Sequence, residues 1–348
     1  YALTGLHVDS LGRIQRRNRL FAKISRPEVA LHFMRPAPEL MVEKLLQQGK
    51  ITQEEAELAK HVAVAECYTV EADSGGHTDN QSLTALFPTI QKVRNDVSQK
   101  YNYQRPIYLG VAGGIGTPQS ASAAFSLGAA YVVTGSINQA CVESGLHEEG
   151  RQMLTQAGLA DVVMAPAADM FELGVEVQVL KRGTMFGNRA KKLYELYKNY
   201  NSLDEIPVRE RSILEKSFFK EPLKTAWEGT EAYWSQRDIR EVHRAMSDRK
   251  HQMALLFRSY LGQSSKWAIQ GDSTRRLDYQ IWCGPAMGAC NDWLKGSFLE
   301  EHSSRSAPQV ALNIMEGAMC IQRAQQLRSF GVPVPETAFY FAPRHLQI

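Results

Sequence analysis

The stretch that decides the fold is GVAGGIGTPQSASAAFSLGAAYVVTGS, residues 110–136. It reads as an apolar strand, a glycine turn, a helix and a second apolar strand ending on Gly135 and Ser136. Thr117 suits the helix N-cap, Pro118 its first position and Gly128 its end. A glycine turn in this setting suits a phosphate. Glycine lets the backbone come close to phosphate oxygens, and free amides at a helix start favour an anion.

Working outward, CYTVEA (67–72), PIYLGVA (106–112) and AYVVTG (130–135) are apolar strands, and ADVVMAP (160–166) reads as one more. They alternate with helices, which predicts a parallel α/β sheet covered on both faces. A dinucleotide fold is a weak reading. From Gly114 the residues are GIGTPQ, without the third glycine of GxGxxG, and VVTGS carries no acid at its strand end. A (β/α)8 barrel fits better, because its phosphate site is commonly built from the loops after the last two strands. Gly113 and Gly114 would end one of these, Gly135 and Ser136 the other. Two tight turns without a ligand are the plainer alternative.

Residues 1–26 read as short strands with polar breaks. PELMVEKLLQQG (38–49) is a helix stopped by Gly49, and Thr52 with Glu55 forms a capping box for the next one. LTALFPTIQKVRNDVSQKY (83–101) is a helix with a kink expected at Pro88. Past residue 187 the strand–helix alternation stops. Residues 189–260 are charged and helical, 272–300 are less regular, and 307–330 form a last amphipathic helix. The division expected is a barrel part over 1–186 and a mainly helical cap or subdomain over 187–348. The opening YALTGLHVDSLGRI reads like the middle of a domain. The expectation is therefore that an N-terminal part precedes Tyr1.

Forty basic residues face 37 acidic ones, so no field for nucleic acid or a membrane surface is built in. No apolar run approaches the roughly 20 residues of a membrane helix. Five cysteines without a CxxC pair point to a reduced, cytoplasmic protein rather than a disulfide or zinc scaffold.

VEADSGGHTDN (70–80) follows the CYTVEA strand directly. In a barrel that loop lies on the active-site face. Gly75 and Gly76 keep it open, so His77 can reach a ligand and donate a proton near neutral pH. A surface or capping histidine is the bland alternative. Asp73, His77 and Asp79 match no standard metal spacing, so no metal is expected.

EADSGGH, GVAGGIGTP and VVTGS together resemble the flavin-dependent nitronate monooxygenase and enoyl-ACP reductase superfamily. VMAPAADMFELGVEVQVLKRGTMF and DYQIWCGPAMGACNDW resemble its narrower branch, the PfaD-type enoyl reductases of polyunsaturated fatty acid and trans-acyltransferase polyketide synthases. The resemblance runs from about Gly5 to Phe330. It implies an FMN-binding TIM barrel, here without its N-terminal strands, with a helical C-terminal subdomain. It places the FMN phosphate on Gly113, Gly114, Thr134, Gly135 and Ser136, brings Gly75 to the flavin and matches His77 to the catalytic histidine. It implies NADPH as hydride donor and a 2-enoyl thioester on an acyl carrier protein as substrate, with other synthase components as partners. Asn80 is a separate candidate for a substrate contact. The inserted Asp73 and Ser74 in EADSGGH match the narrower branch and depart from nitronate monooxygenases. A flavin oxidase and a non-catalytic docking component of a synthase are the competing functions.

Other residues carry plainer expectations. Asp169 and Glu172 either face the active site or cap the helix there, with capping the preferred reading, and Cys283 and Cys290 read as buried small residues. Trp282 and Trp293 read as packing for the cap. Lys181 and Arg182 are either a phosphate contact or a solvated pair. RAKKLYELYKNY is either a docking face for an acidic carrier protein or a solvated helix.

Overall fold

A computed structural model describes residues 1–347. In chain order the first elements are β1 (His7–Val8), β2 (Ile14–Gln15), β3 (Phe21–Ile24), α1 (Pro27–Met34), α2 (Glu39–Gln47), α3 (Gln53–Leu58) and β4 (Cys67–Glu71). Next come β5 (Gly76–His77), α4 (Leu83–Tyr101), β6 (Tyr108–Ala112), α5 (Pro118–Ser126), β7 (Val132–Val133), α6 (Ser136–Gln139) and α7 (Glu148–Thr155). The remainder is β8 (Val162–Pro166), β9 (Glu176–Leu180), α8 (Phe186–Asn199), α9 (Val208–Ile213), α10 (Leu223–Arg237), α11 (Ile239–Ser247), α12 (Arg249–Gln270), α13 (Ala286–Leu294) and α14 (Ala307–Ser329).

These elements divide into two compact units. One holds residues 1–74, 78–135 and 311–342. The other holds 75–77, 136–310 and 343–347.

The first unit is built on a four-stranded parallel sheet of order β3-β4-β6-β7. Each strand is joined to its neighbour by helix, as the apolar strands require: a strand buried on both faces needs helices to cover it. Tyr68, Val70, Leu109 and Val111 are almost completely buried. Cover is incomplete at the N-terminal strand ends, where Phe21 and Tyr108 are about half exposed. α4 runs from Leu83 to Tyr101 with Pro88 inside it, and Asn102 closes it in the left-handed conformation. Thr52 and Glu55 form the capping box of α3.

The second unit holds an antiparallel sheet of order β5-β9-β8. ADVVMAP is thus a strand, but not another member of the parallel sheet. EVQVL at 176–180 follows it after a short turn, and such a turn lets the chain return only antiparallel. Helices α8, α10 and α12 pack on this sheet in one core, in which Phe186, Leu193, Leu256, Phe257 and Tyr260 join Ala165, Val177 and Val179. Asp278 is fully buried there. Arg189 pairs with it, and the Tyr260 hydroxyl donates to it at 2.6 Å, so its charge is compensated.

Candidate active site

The glycine turns lie where the parallel sheet ends. Register pairs Val111 with Val132 and Ala112 with Val133, so the turns after β6 and β7 leave neighbouring strands at the same end. Gly113 has φ +84°, and a Cβ on it would lie 2.6 Å from the carbonyl carbon and oxygen of Ala72. Glycine is required there by the close approach of the chain leaving β4. Gly114 has φ +71°, and a Cβ on it or on Gly135 would meet nothing within 4 Å. Room for a ligand beside the backbone therefore exists at Gly114 and Gly135.

The start of α5 is less available than the sequence suggests. The Thr117 hydroxyl accepts from the Ser120 amide, and the Ser120 hydroxyl accepts from the amides of Gly116 and Thr117. This reciprocal box occupies amides that an anion would otherwise use. The open backbone is the glycine turn, not the helix end.

The turn after β4 begins the EADSGGH loop. Glu71 is buried, with Lys23 Nζ 2.7 Å from its Oε1 and the Ser74 hydroxyl donating to the same oxygen at 2.8 Å. Asp79 is held by Ser25 at 2.5 Å and by Arg26 at 2.7 and 3.0 Å. The Arg26 guanidinium keeps the Asp79 carboxyl below its ordinary range. Asn80 is exposed, sits in the left-handed region at φ +51° and donates its amide to the Thr78 hydroxyl.

In the second unit, β5 presents His77, with Gly76 opposite Gln178 and His77 opposite Val177. His77 Nε2 lies 3.2 Å from Asp169 Oδ2. The His77 ring meets Trp282 edge-on, with centroids 5.9 Å apart at 76°. A Cβ on Gly76 would lie 2.6 Å from the Trp282 ring, and one on Gly75 would lie 2.8 Å from the Ser136 hydroxyl. That hydroxyl accepts from the Gly284 amide at 3.0 Å. Gly75, His77, Ser136 and Trp282 thus share one packed neighbourhood.

One reading needs correction. Asp169 and Glu172 are not helix caps: the turn Phe171–Leu173 begins on Met170 without a side-chain cap, Asp169 faces His77, and Glu172 pairs with Arg258 at 3.1 Å. Trp282 packs as expected, against Gly76 and His77, but is also 45% exposed beside that histidine. Aromatic context alone does not separate these roles. Arg182 pairs with Asp161 at 3.5 Å. Cys283 and Cys290 are fully buried, and burial pushes both thiols up to about 12, which leaves them unreactive.

A cavity of about 250 Å³ lies elsewhere in the first unit, lined by Arg16, Phe21, Cys67, Arg105 and Tyr108 among others. Phe21, Cys67 and Tyr108 open their strands, so it sits at the opposite strand ends from the glycine turns. Among the described residues, no helix is long and apolar enough to cross a membrane.

Comparison with known proteins gives the class. Residues 200–279 match the inserted helical domain of [acyl-carrier-protein] S-malonyltransferase. The chain is 44% identical, over 99% of its length, to a polyunsaturated fatty acid synthase polypeptide of Thraustochytrium sp., and 44% identical, over 97%, to polyketide biosynthesis protein PksE of Bacillus subtilis. It spans 24% and 43% of those proteins. The crystal structure of the enoyl reductase domain of MlnA, from the macrolactin biosynthesis cluster of Bacillus amyloliquefaciens, matches with TM-score 0.88 at 36% identity, covering 93% of this chain and 72% of that one. The chain belongs to the family of PfaD-type enoyl reductases of polyunsaturated fatty acid and polyketide synthases.

Proposed function

We propose that this chain carries the catalytic site of an FMN-dependent, NADPH-consuming reductase of 2-enoyl thioesters on an acyl carrier protein. Its setting would be polyunsaturated fatty acid or polyketide biosynthesis. One observation carries the reading: the turns after β4, β6 and β7 all leave the same end of one parallel sheet. The first leads to His77, and the other two are the glycine turns. The order β3-β4-β6-β7 is the neighbour order of a (β/α)8 barrel, whose active site lies at that end. Membership of the enoyl reductase family supports the same conclusion.

The residues fit FMN. Open backbone at Gly114 and Gly135 leaves space for phosphate oxygens, and Gly113, Thr134 and Ser136 complete the proposed holding set. Gly75, packed so closely against Ser136 and Cys283 that a Cβ would collide with them, is the proposed flavin contact on the histidine loop. When bound and reduced by NADPH, FMN supplies hydride for the β-carbon. The chain's own part is the other half of the reaction. His77 gives a proton to the α-carbon or stabilises the charge gathering on the thioester oxygen. Such help is typically worth about 100- to 10,000-fold. Asn80 would contact the substrate.

The test begins with an anaerobic visible spectrum of the full natural chain. A flavin spectrum that bleaches on NADPH and returns with a 2-enoyl carrier-protein thioester is the expected result. His77→Ala should keep its flavin and lose turnover by the factor above. A colourless, folded protein that FMN cannot reconstitute would overturn the reading.

A further inference from the structure

Asp169 is a carboxylate that stands next to the proposed proton donor. Its side chain is 63% exposed, caps no helix, and has its Oδ2 3.2 Å from His77 Nε2. The same small sheet fixes both partners. Val177 pairs with His77 on one side and with Ala165 on the other. The ladder continues through the Ala167 amide, which donates to the Val175 carbonyl at 2.9 Å, so the turn carrying Asp169 begins in register with β5.

That turn is pinned from both sides. Arg258, on α12, donates through Nε to the Ala168 carbonyl at 2.9 Å and through a terminal nitrogen to Glu172 at 3.1 Å. Ala168 precedes Asp169, and Glu172 follows it. One guanidinium from the helical core therefore holds the backbone that aims Asp169. On the ring side of His77, Trp282 is itself located by its β-bridge to Val179 and by Gln139, whose side chain donates to its carbonyl at 2.6 Å.

We propose that Asp169 is a positioning residue for His77, held in place by Arg258. A carboxylate only accepts, so its place beside Nε2 favours a proton on that nitrogen. The atom left to work is Nδ1. In the proposed reaction the ring is doubly protonated, its Nδ1–H bond breaks, and the electron pair of the enolate left by hydride addition at the β-carbon forms the C–H bond at the α-carbon. The N–H electron pair stays on Nδ1, and the ring keeps its other proton on Nε2 against Asp169. The inference rests on the reading of His77 as proton donor, but its main readout does not.

The test is ¹⁵N NMR of the full chain labelled at histidine, at a pH where the ring is neutral, with His77 assigned by the signal lost in His77→Ala. The wild type should show the Nε2–H tautomer. Asp169→Ala should mix the two tautomers and lower kcat roughly 10-fold with little change in KM, a fraction of what a general acid supplies. Asp169→Glu should restore both. Wild-type tautomer signals retained in Asp169→Ala, or an Nδ1–H tautomer in the wild type, would overturn the proposal. A His77→Ala protein of undiminished activity would instead remove the proton-donor reading, whatever the tautomer.

Discussion

Lys23 Nζ lies 2.7 Å from Glu71 Oε1 across adjacent parallel strands. The two ends of this pair differ. The Glu71 residue is 8% exposed, while the Lys23 side chain is 54% exposed. Removing the lysine leaves a buried carboxylate with one hydroxyl partner, whereas neutralising the carboxylate leaves an ammonium that water can serve. Lys23→Met should therefore cost more, about 2 kcal/mol, and Glu71→Gln about 1 kcal/mol or less. Urea unfolding of the two variants decides it, and the reverse order would refute the argument.

The glycine turn should separate folding from ligand binding. Gly113→Ala puts a methyl group 2.6 Å from the Ala72 backbone at φ +84° and should destabilise by about 2 kcal/mol or more. Gly114→Ala meets no atom and carries only its left-handed strain, about 1 kcal/mol. Yet it fills the proposed phosphate space, so it should bind FMN at least tenfold more weakly, by roughly 1.4 kcal/mol. Flavin fluorescence and thermal melts on both variants measure the contrast.

Trp282 is half exposed and touches His77, so its loss should be felt in rate more than in stability. Trp282→Ala should change unfolding free energy by about 0.5 kcal/mol or slightly more and lower kcat about tenfold. Trp282→Phe keeps an aromatic surface and should recover most of the rate. Equal rates in all three proteins would dismiss a role for the indole.

The thiols should divide by burial. Cys141, Cys283 and Cys290 are buried, and burial pushes them up to about 11, 12 and 12. Cys67 is also raised by burial, while Cys320 is exposed. Alkylation at pH 8 should modify Cys320 fast, Cys67 slowly and the other three only after unfolding, as peptide mass spectrometry would show.

Asp79 adds a contribution to stability on the acid side. Its folded carboxyl is held below the unfolded value near 3.9 by Arg26 and Ser25. The contribution is complete above about pH 4 and is lost as pH falls through the folded value. Asp79→Asn should melt lower than wild type at pH 7, by about 0.5 kcal/mol, as expected of a largely exposed pair. The two melting curves should converge in strong acid. A gap that stays constant with pH would exclude the ion pair as its source.

Local chemistry was readable where a single segment holds the whole signal. The limits of α4 at Leu83 and Tyr101, the capping box of α3, the Thr117 N-cap of α5, and the three parallel strands β4, β6 and β7 follow from periodicity, caps and glycine stops. The glycine turns were legible for the same reason. ADVVMAP was legible as a strand but not as an antiparallel one, because an apolar run does not name its neighbour. EVQVL at 176–180 escaped notice inside a long motif. Its Gln178 interrupts the apolar pattern although it is buried in the fold.

The sequence by itself determined the α/β alternation, the positions of the glycine turns, the helical character of residues beyond 187, and the family, because each depends on neighbouring residues or on motif identity. Only the tertiary structure decided that Asp169 faces His77 instead of capping a helix, that Trp282 borders that histidine, and that Arg258 holds the turn carrying Asp169. Those relations join residues from distant strands and helices. They are fixed by strand register and by packing, which no local spacing encodes.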